Sequence, residues 1–330
     1  MRRLLRPLLT LAVSALATFS TVGSTLAAAE PLKIAYSDWP GWVAFEVAIQ
    51  KGWFKEAGVD VQFVWMEYGP SMEAFQAGKV DGVTVASGDV LVMAAAGKAS
   101  KCVLLTDYSN GNDMIVAKPG IASIKDLKGK KVGVELGFVE HLLLLKALEL
   151  NGMSESDVQL VGVPTNDTPQ TLASGGVDAI GAWQPIVGGA LKQVAGSKAI
   201  FTSKDVPGLI YDFLAVSVES YQARKGDWAK VVGVWPKIVS YINDPKTQGD
   251  ALKLMSARVG VTADEYGKLL PGTFLLDVAG NKKAFAPGKD LTSVIFSMTT
   301  ADTFNVANKV YAAKQDPAKV VEPALINVLP

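Results

Sequence analysis

The chain is poor in the residues that most enzyme chemistry and most metal sites need. It has one cysteine, Cys102, and one histidine, His141. A single cysteine excludes an intramolecular disulfide. Together the two scarcities exclude a cluster of several His and Cys metal ligands, and a Ser-His-Asp triad built on any other histidine. Arginine is almost as rare: after Arg2, Arg3 and Arg6, only Arg224 and Arg258 remain. Lys plus Arg and Asp plus Glu stand level at 32 each, with no basic stripe, so the electrostatic footprint of a nucleic-acid binder is missing. Nucleic acid is excluded as a main partner. No repeat of fixed period is present, which excludes a solenoid. The hydrophobic content of 49% is too high for disorder, yet too dispersed for a polytopic membrane protein. What remains is a soluble globular chain, long enough for about two domains.

Residues 1–29 have the form of a secretory leader. Three arginines precede an apolar stretch from Leu8 to Ala17, and Ala27-Ala28-Ala29 supplies an A-x-A cleavage form. The alternative is a membrane anchor, but Thr10, Ser14, Thr18 and Ser20 break the run and leave it short of the ~20 residues a span needs. Cleavage is expected near Ala29, and the absence of a cysteine after it predicts a freely diffusing periplasmic protein. Without the leader the chain is mildly acidic.

Short β-branched or apolar runs alternate with helical patterns from Leu32 to Ser217, the signature of an α/β fold with parallel sheets and crossover helices. Strands are predicted at 33–37, 59–66, 82–86, 101–106, 131–134, 158–163, 179–182 and 209–218. Helices are predicted at 43–51, 71–76, 90–96 and 140–150, several stopping at a glycine suited to a left-handed cap. From Asp227 helical periodicity dominates, with helices predicted at 228–243, 246–258 and 300–314. Residues 112–123 and 214–220 bracket a middle segment with its own alternation, as when a chain leaves one lobe, builds another and returns.

Four stretches carry a family resemblance. They are Lys51-Gly52-Trp53-Phe54-Lys55-Glu56-Ala57-Gly58-Val59-Asp60-Val61, Ala77-Gly78-Lys79-Val80-Asp81-Gly82, Ile124-Lys125-Asp126-Leu127-Lys128-Gly129-Lys130-Lys131-Val132-Gly133-Val134, and Leu172-Ala173-Ser174-Gly175-Gly176-Val177-Asp178-Ala179. In register over residues 32–215, the chain resembles the periplasmic solute-binding proteins of the nitrate, sulfonate, taurine and thiamine-pyrimidine ABC importers. The resemblance implies a two-lobed periplasmic-binding-protein fold with two crossover strands and a C-terminal helical segment. Lobe one would take 32–117 with 215–330, and lobe two 118–214. It also implies a small-molecule ligand trapped in the cleft, an inner-membrane ABC permease as partner, a monomer, no cofactor and no enzymatic chemistry. A sensor that only reports ligand would carry the same sequence signature.

In open α/β sheets the ligand lies beyond the carboxyl ends of the strands. The candidates there are Asp38, Trp39 and Trp42, with Glu46 a turn further on, then Glu67 and Tyr68, Asp89, Asp107, Glu135 and Glu140, Trp183, and Asp212. This set is rich in carboxylates and rings and contains no Lys or Arg. An oxyanion site wants arginine, small hydroxyls and free N–H groups at a helix start. Relatives that bind oxyanions often place Gly-Ser there, whereas this chain has Gly137-Phe138-Val139-Glu140. Rings stack on a planar cation, and carboxylates accept its N–H bonds. The reading is therefore a small planar nitrogen-rich solute: guanidine, an amidine or urea. A thiamine-precursor pyrimidine, which stacks equally well, and a sulfonate or nitrate stay as alternatives.

Ordinary roles compete for several of these residues. Trp39, Trp42 and Trp183 could pack cleft walls, and Glu67 with Tyr68 could simply begin a helix. Asp81 and Asp178 recur at strand starts on the opposite edge and are read as structural turns. His141 is read as neutral and packed, and Cys102 as a small buried hydrophobe. The competing class is a pyrimidine-synthase-like enzyme, which the missing cysteine cluster and the export leader argue against.

Overall fold

The computed structural model describes residues 30–330, so the predicted leader and its cleavage near Ala29 lie outside the described residues. Its strands are β1 (Leu32–Tyr36), β2 (Val61–Trp65), β3 (Gly82–Ala86), β4 (Ser100–Ser109), β5 (Asp113–Ala117), β6 (Lys131–Val134), β7 (Gln159–Gly162), β8 (Ala179–Trp183), β9 (Lys198–Thr202), β10 (Tyr211–Ser217) and β11 (Thr273–Leu275). They form two sheets, ordered β11-β4-β10-β3-β1-β2 and β7-β6-β8-β5-β9. The fold is mixed α/β, and the chain passes from the first sheet to the second at 110–112 and back at 203–210.

The expectation of parallel sheets is corrected. β1 runs parallel to β2 and β3, joined by helices that include Phe45–Lys51 and Tyr68–Gln76, but β10 runs antiparallel to both β3 and β4. In the second sheet β6 is parallel to β7 and β8, while β5 is antiparallel to β8 and β9. The reason lies in the two passages between sheets. A strand that enters a sheet from outside needs no crossover helix, and so can take either direction. β5, β9 and β11 were not predicted as strands, and β4 continues three residues beyond its predicted end.

Matching aspartates set the start of each sheet. Asp81 accepts the Lys33 N–H at 2.9 Å, and Asp178 accepts the Lys131 N–H at 3.0 Å. Both are structural turns, as read from the sequence.

The C-terminal helices Lys225–Asn243 and Gln248–Val259 cover the first sheet. Trp228 and Trp235 are fully buried, and the Trp235 indole packs 5.1 Å from Phe45 while its N–H donates to the Leu276 carbonyl at 2.7 Å. The helix expected at 300–314 spans Val294–Ala307 instead and ends where Lys309 turns to φ 61°. Among the described residues no helix is long and apolar enough to cross a membrane.

Asn281, in helix Val278–Phe285, fastens this cover to β4. Its Oδ1 accepts the Leu105 N–H at 2.8 Å, and its amide N–H groups donate to the Leu105 and Leu276 carbonyls. Asn281→Leu strands backbone groups in the core, and each buried unmade bond costs about 1–3 kcal/mol. Urea denaturation should show a loss of that size with an unchanged m-value.

Candidate functional site

The site is built from the sequence Asp38-Trp39-Pro40-Gly41-Trp42, which follows β1. Pro40 takes the first position of helix Pro40–Val43, where its fixed φ and missing N–H cost nothing. Gly41 faces the Asp107 carboxylate so closely that a Cβ would collide with it, hence glycine. Trp39 donates its indole N–H to Asp107 Oδ1 at 2.9 Å. Trp42 stacks on Tyr68 with ring centroids 5.3 Å apart. The Tyr68 ring meets Trp183 edge-on at 5.3 Å and Phe138 at 6.1 Å, so rings from both sheets converge on it.

Carboxyl groups fill the space around these rings. Asp89, Asp107, Asp113, Glu140 and Asp212 are each at most 2% exposed. Asp89 accepts the Tyr68 O–H at 2.6 Å and the Val139 N–H at 3.2 Å, which joins helix Ser87–Ala95 to the start of helix Val139–Leu150. Asp107 and Asp212 lie directly opposite each other on β4 and β10. Among the described residues, no N–H or hydroxyl reaches Asp113 Oδ2, Asp212 Oδ2 or either oxygen of Glu140, and the Trp42 N–H finds no acceptor. The polar neighbour of Glu140 is Asp113, and that of Asp212 is Asp107.

The electrostatic consequence is uniform. Burial pushes Asp89 and Asp107 up to about 7 and Asp113 up to about 6, against opposing hydrogen bonds. Glu140 and Asp212 rise well above the usual carboxyl range, first through burial and then through neighbouring acids. Asp38, half-buried, is raised to about 6 by burial, although it accepts the Trp183 indole N–H at 2.9 Å. Among the described residues, no group of three or more His, Cys, Asp or Glu is arranged to hold a metal ion.

Most of the predicted residues gather here: Trp39, Trp42, Tyr68, Asp89, Asp107, Glu140, Trp183 and Asp212 form the cluster, and Asp38 borders it. Three placements differ. Asp107 lies inside β4 and not in a loop after it, because the strand runs on to Ser109. Glu67 is exposed at the start of helix Tyr68–Gln76, and only its charge bears on Asp38 and Glu135. Glu46 turns away from the cluster to Tyr36 and to Arg258, whose Nε is 3.2 Å away. Asp113 was missed. It opens β5, and because that strand is antiparallel, its first residue pairs with Trp183 at the last position of β8. The signal was an acid directly before the apolar run Met114-Ile115-Val116-Ala117.

His141 is buried, with Nδ1 accepting the Gly137 N–H at 3.2 Å and its pKa lowered by burial, as a neutral ring requires. Cys102 is fully buried.

Carboxyls whose folded pKa exceeds the unfolded value bind more protons when folded. Stability therefore falls as pH rises from about 4 to above 7. The ligand-free protein should melt at a lower temperature at pH 8 than at pH 5. Glu140→Gln, which removes one buried acid, should raise the pH 8 melting temperature by a few degrees, the size of a ~1 kcal/mol gain, with a smaller effect at pH 5. Thermal scans at the two pH values check both.

Known proteins bear on this arrangement. A Brucella abortus protein provisionally named a binding protein is 31% identical over 177 residues, covering 53% of this chain and 54% of the relative. The chain thus spans about half the length of the curated relatives it matches. The arginine-binding extracellular protein of Bacillus subtilis is 36% identical over 109 residues, covering 32% of this chain and 40% of its own. Among solved structures, the alkanesulfonate-binding protein of Xanthomonas axonopodis bound to MOPS superposes with a TM-score of 0.75 at 19% identity, over 90% of this chain and 100% of that one. That likeness establishes the fold of periplasmic binding proteins. A family model described as NMT1/THI5 like matches residues 39–227, and the chain belongs to that family.

Proposed function

We propose that this chain is the solute-binding component of an ABC importer, a periplasmic monomer that delivers its ligand to an inner-membrane permease. It has two lobes, one built on each sheet, with the passages at 110–112 and 203–210 as hinges. Its ligand is a small planar cation rich in N–H groups, of the guanidinium or amidinium type, held between the lobes.

The observation that carries the ligand reading is the set of buried carboxyl oxygens on Asp113, Glu140 and Asp212 that no N–H or hydroxyl donor among the described residues reaches. A planar cation supplies N–H donors and the missing charge together, and charge-assisted bonds of this kind are about twice as strong as neutral ones. Of the relatives' names, one names arginine, which bears a guanidinium, while several name sulfonates and one names nitrate. The chain's own carboxylates favour the first. Urea is a second reading with its own support: its carbonyl would meet the unpartnered Trp42 N–H.

Polar contacts join the two lobes. Asp38 reaches Trp183, Asp89 reaches the Val139 N–H, and Lys192 pairs with Glu265 at 2.6 Å beside a groove of about 580 Å³. An exposed ion pair is worth about 0–1 kcal/mol, which suits a latch that must open.

Calorimetry with guanidinium, acetamidine, urea and taurine tests the ligand. Guanidinium should bind, and Asp38→Asn or Asp113→Asn should weaken it at least about tenfold, equivalent to ~1.4 kcal/mol. Trp183→Ala should weaken it without unfolding the protein. Taurine binding that tightens in Asp38→Asn, with undetectable guanidinium binding, would overturn the cation reading and leave the importer reading standing. Small-angle scattering checks the lobes: the radius of gyration should fall when the bound solute saturates the protein.

A further inference from the structure

We infer that this site captures its ligand by exchange: a permanent cation enters as a proton shared among the buried carboxyls leaves for solvent. The inference rests on the cation reading above. It selects guanidinium or amidinium over neutral urea, and it makes ligand affinity depend on pH.

The geometry supplies the reason. Glu140 is fully buried and both its oxygens lack a donor. Every charged group that faces it is an acid: Asp113 on β5, Asp89 on helix Ser87–Ala95 and Glu135 after β6. Among the described residues, the other elements packed most closely against helix Val139–Leu150 send it no compensating charge. On β8, Gly181 lies against the Glu140 Cβ, Asp302 of helix Val294–Ala307 is engaged by Tyr311 and Gln315, and Lys125 and Asp126 on the turn Ile124–Leu127 are exposed. His141 on the same helix turns toward Glu155, 3.7 Å away. Asp212 is in the same position, facing Asp107, Asp113 and Asp89.

Five buried acids without a cation cannot all be ionised, because an unpaired buried charge is too costly. The ligand-free site therefore holds protons, and carboxyl–carboxylate pairs such as Glu140 with Asp113 and Asp212 with Asp107 are the places to share them. A guanidinium donating N–H bonds to Glu140 stabilises the ionised form. The Glu140 O–H bond breaks, its proton passes to buffer, and the ligand keeps all of its own. The upward shifts of all five acids agree with protons being present near neutral pH. The sign follows. Guanidinium affinity rises with pH, by about tenfold per unit for one proton released, until the ligand-free acids are themselves ionised.

Two measurements on the full protein test this. Infrared spectra of the ligand-free protein near pH 6.5 should show a protonated-carboxyl C=O band that shrinks in Glu140→Gln and shrinks in wild type on adding guanidinium hydrochloride. Calorimetry of guanidinium binding, repeated in buffers of different ionisation enthalpy, should give about one proton released per ligand. Absence of the band in the ligand-free protein overturns the exchange, as does binding with no proton released and the band unchanged; either result leaves the cation reading intact. A band that is present with no guanidinium binding at any pH sinks the cation reading and the exchange with it.

Discussion

Asp107 and Asp212 face each other across adjacent antiparallel strands, in a part of the molecule that water does not reach. Like charges directly opposite on a sheet repel, and burial removes the solvent that would screen them. Much of the surrounding structure answers that cost. The Trp39 N–H and the Thr106 O–H are both spent on Asp107, and Gly41 gives up a side chain so that the carboxylate fits. Asp89, one layer away, takes a tyrosine hydroxyl and a helix-start N–H. Donors run out before acceptors do. Asp113, Glu140 and Asp212 keep oxygens that no donor among the described residues satisfies, and a group buried in that state persists only with a proton or a partner from outside.

The contrast with Glu46 shows that the deficit is local. Glu46 is as deeply buried as the cluster acids, but it has Arg258 at 3.2 Å, and that guanidinium lies 4.3 Å above the Trp65 ring. The chain thus places its own guanidinium between a carboxylate and an aromatic face at one site, and builds the same two surroundings with no guanidinium at another. The chemistry proposed for the ligand is one this protein already uses internally.

The α/β class and most strand positions were legible because buried strands read as short apolar runs whatever their direction. Direction was not legible. Periodicity is the same for parallel and antiparallel strands, so β5 and β10 could be placed or missed, but not oriented. That one ambiguity governs the site. The rule that ligands meet the carboxyl ends of strands found Asp38, Asp89 and Trp183, which follow or end parallel strands. It could not find Asp113, the first residue of an antiparallel strand, which reaches the same edge from the other end. The acidity of the site was legible by composition, because no arginine or lysine stood among the strand-end residues. Pairing was not: that Glu46 belongs to Arg258, more than 200 positions away, is a fact of packing.

The same geometry bears on what the proposed site would reject. A helix start attracts anions because its N–H groups are free and its dipole is positive there. At helix Val139–Leu150 that seat is already taken. Asp89 accepts the Val139 N–H, and Glu140 occupies the first turn as a further buried acid. An incoming sulfonate or nitrate would have to displace a carboxylate from its hydrogen bond and then remain beside the other acids, each of which would need its own proton. A planar cation of the proposed kind would displace only a shared proton, since no N–H donor of the described residues is bound to the oxygens it would use. Selectivity of this kind comes as much from the repulsion built against the wrong charge as from attraction to the right one, and on the proposed reading both would arise from the same few buried carboxyls.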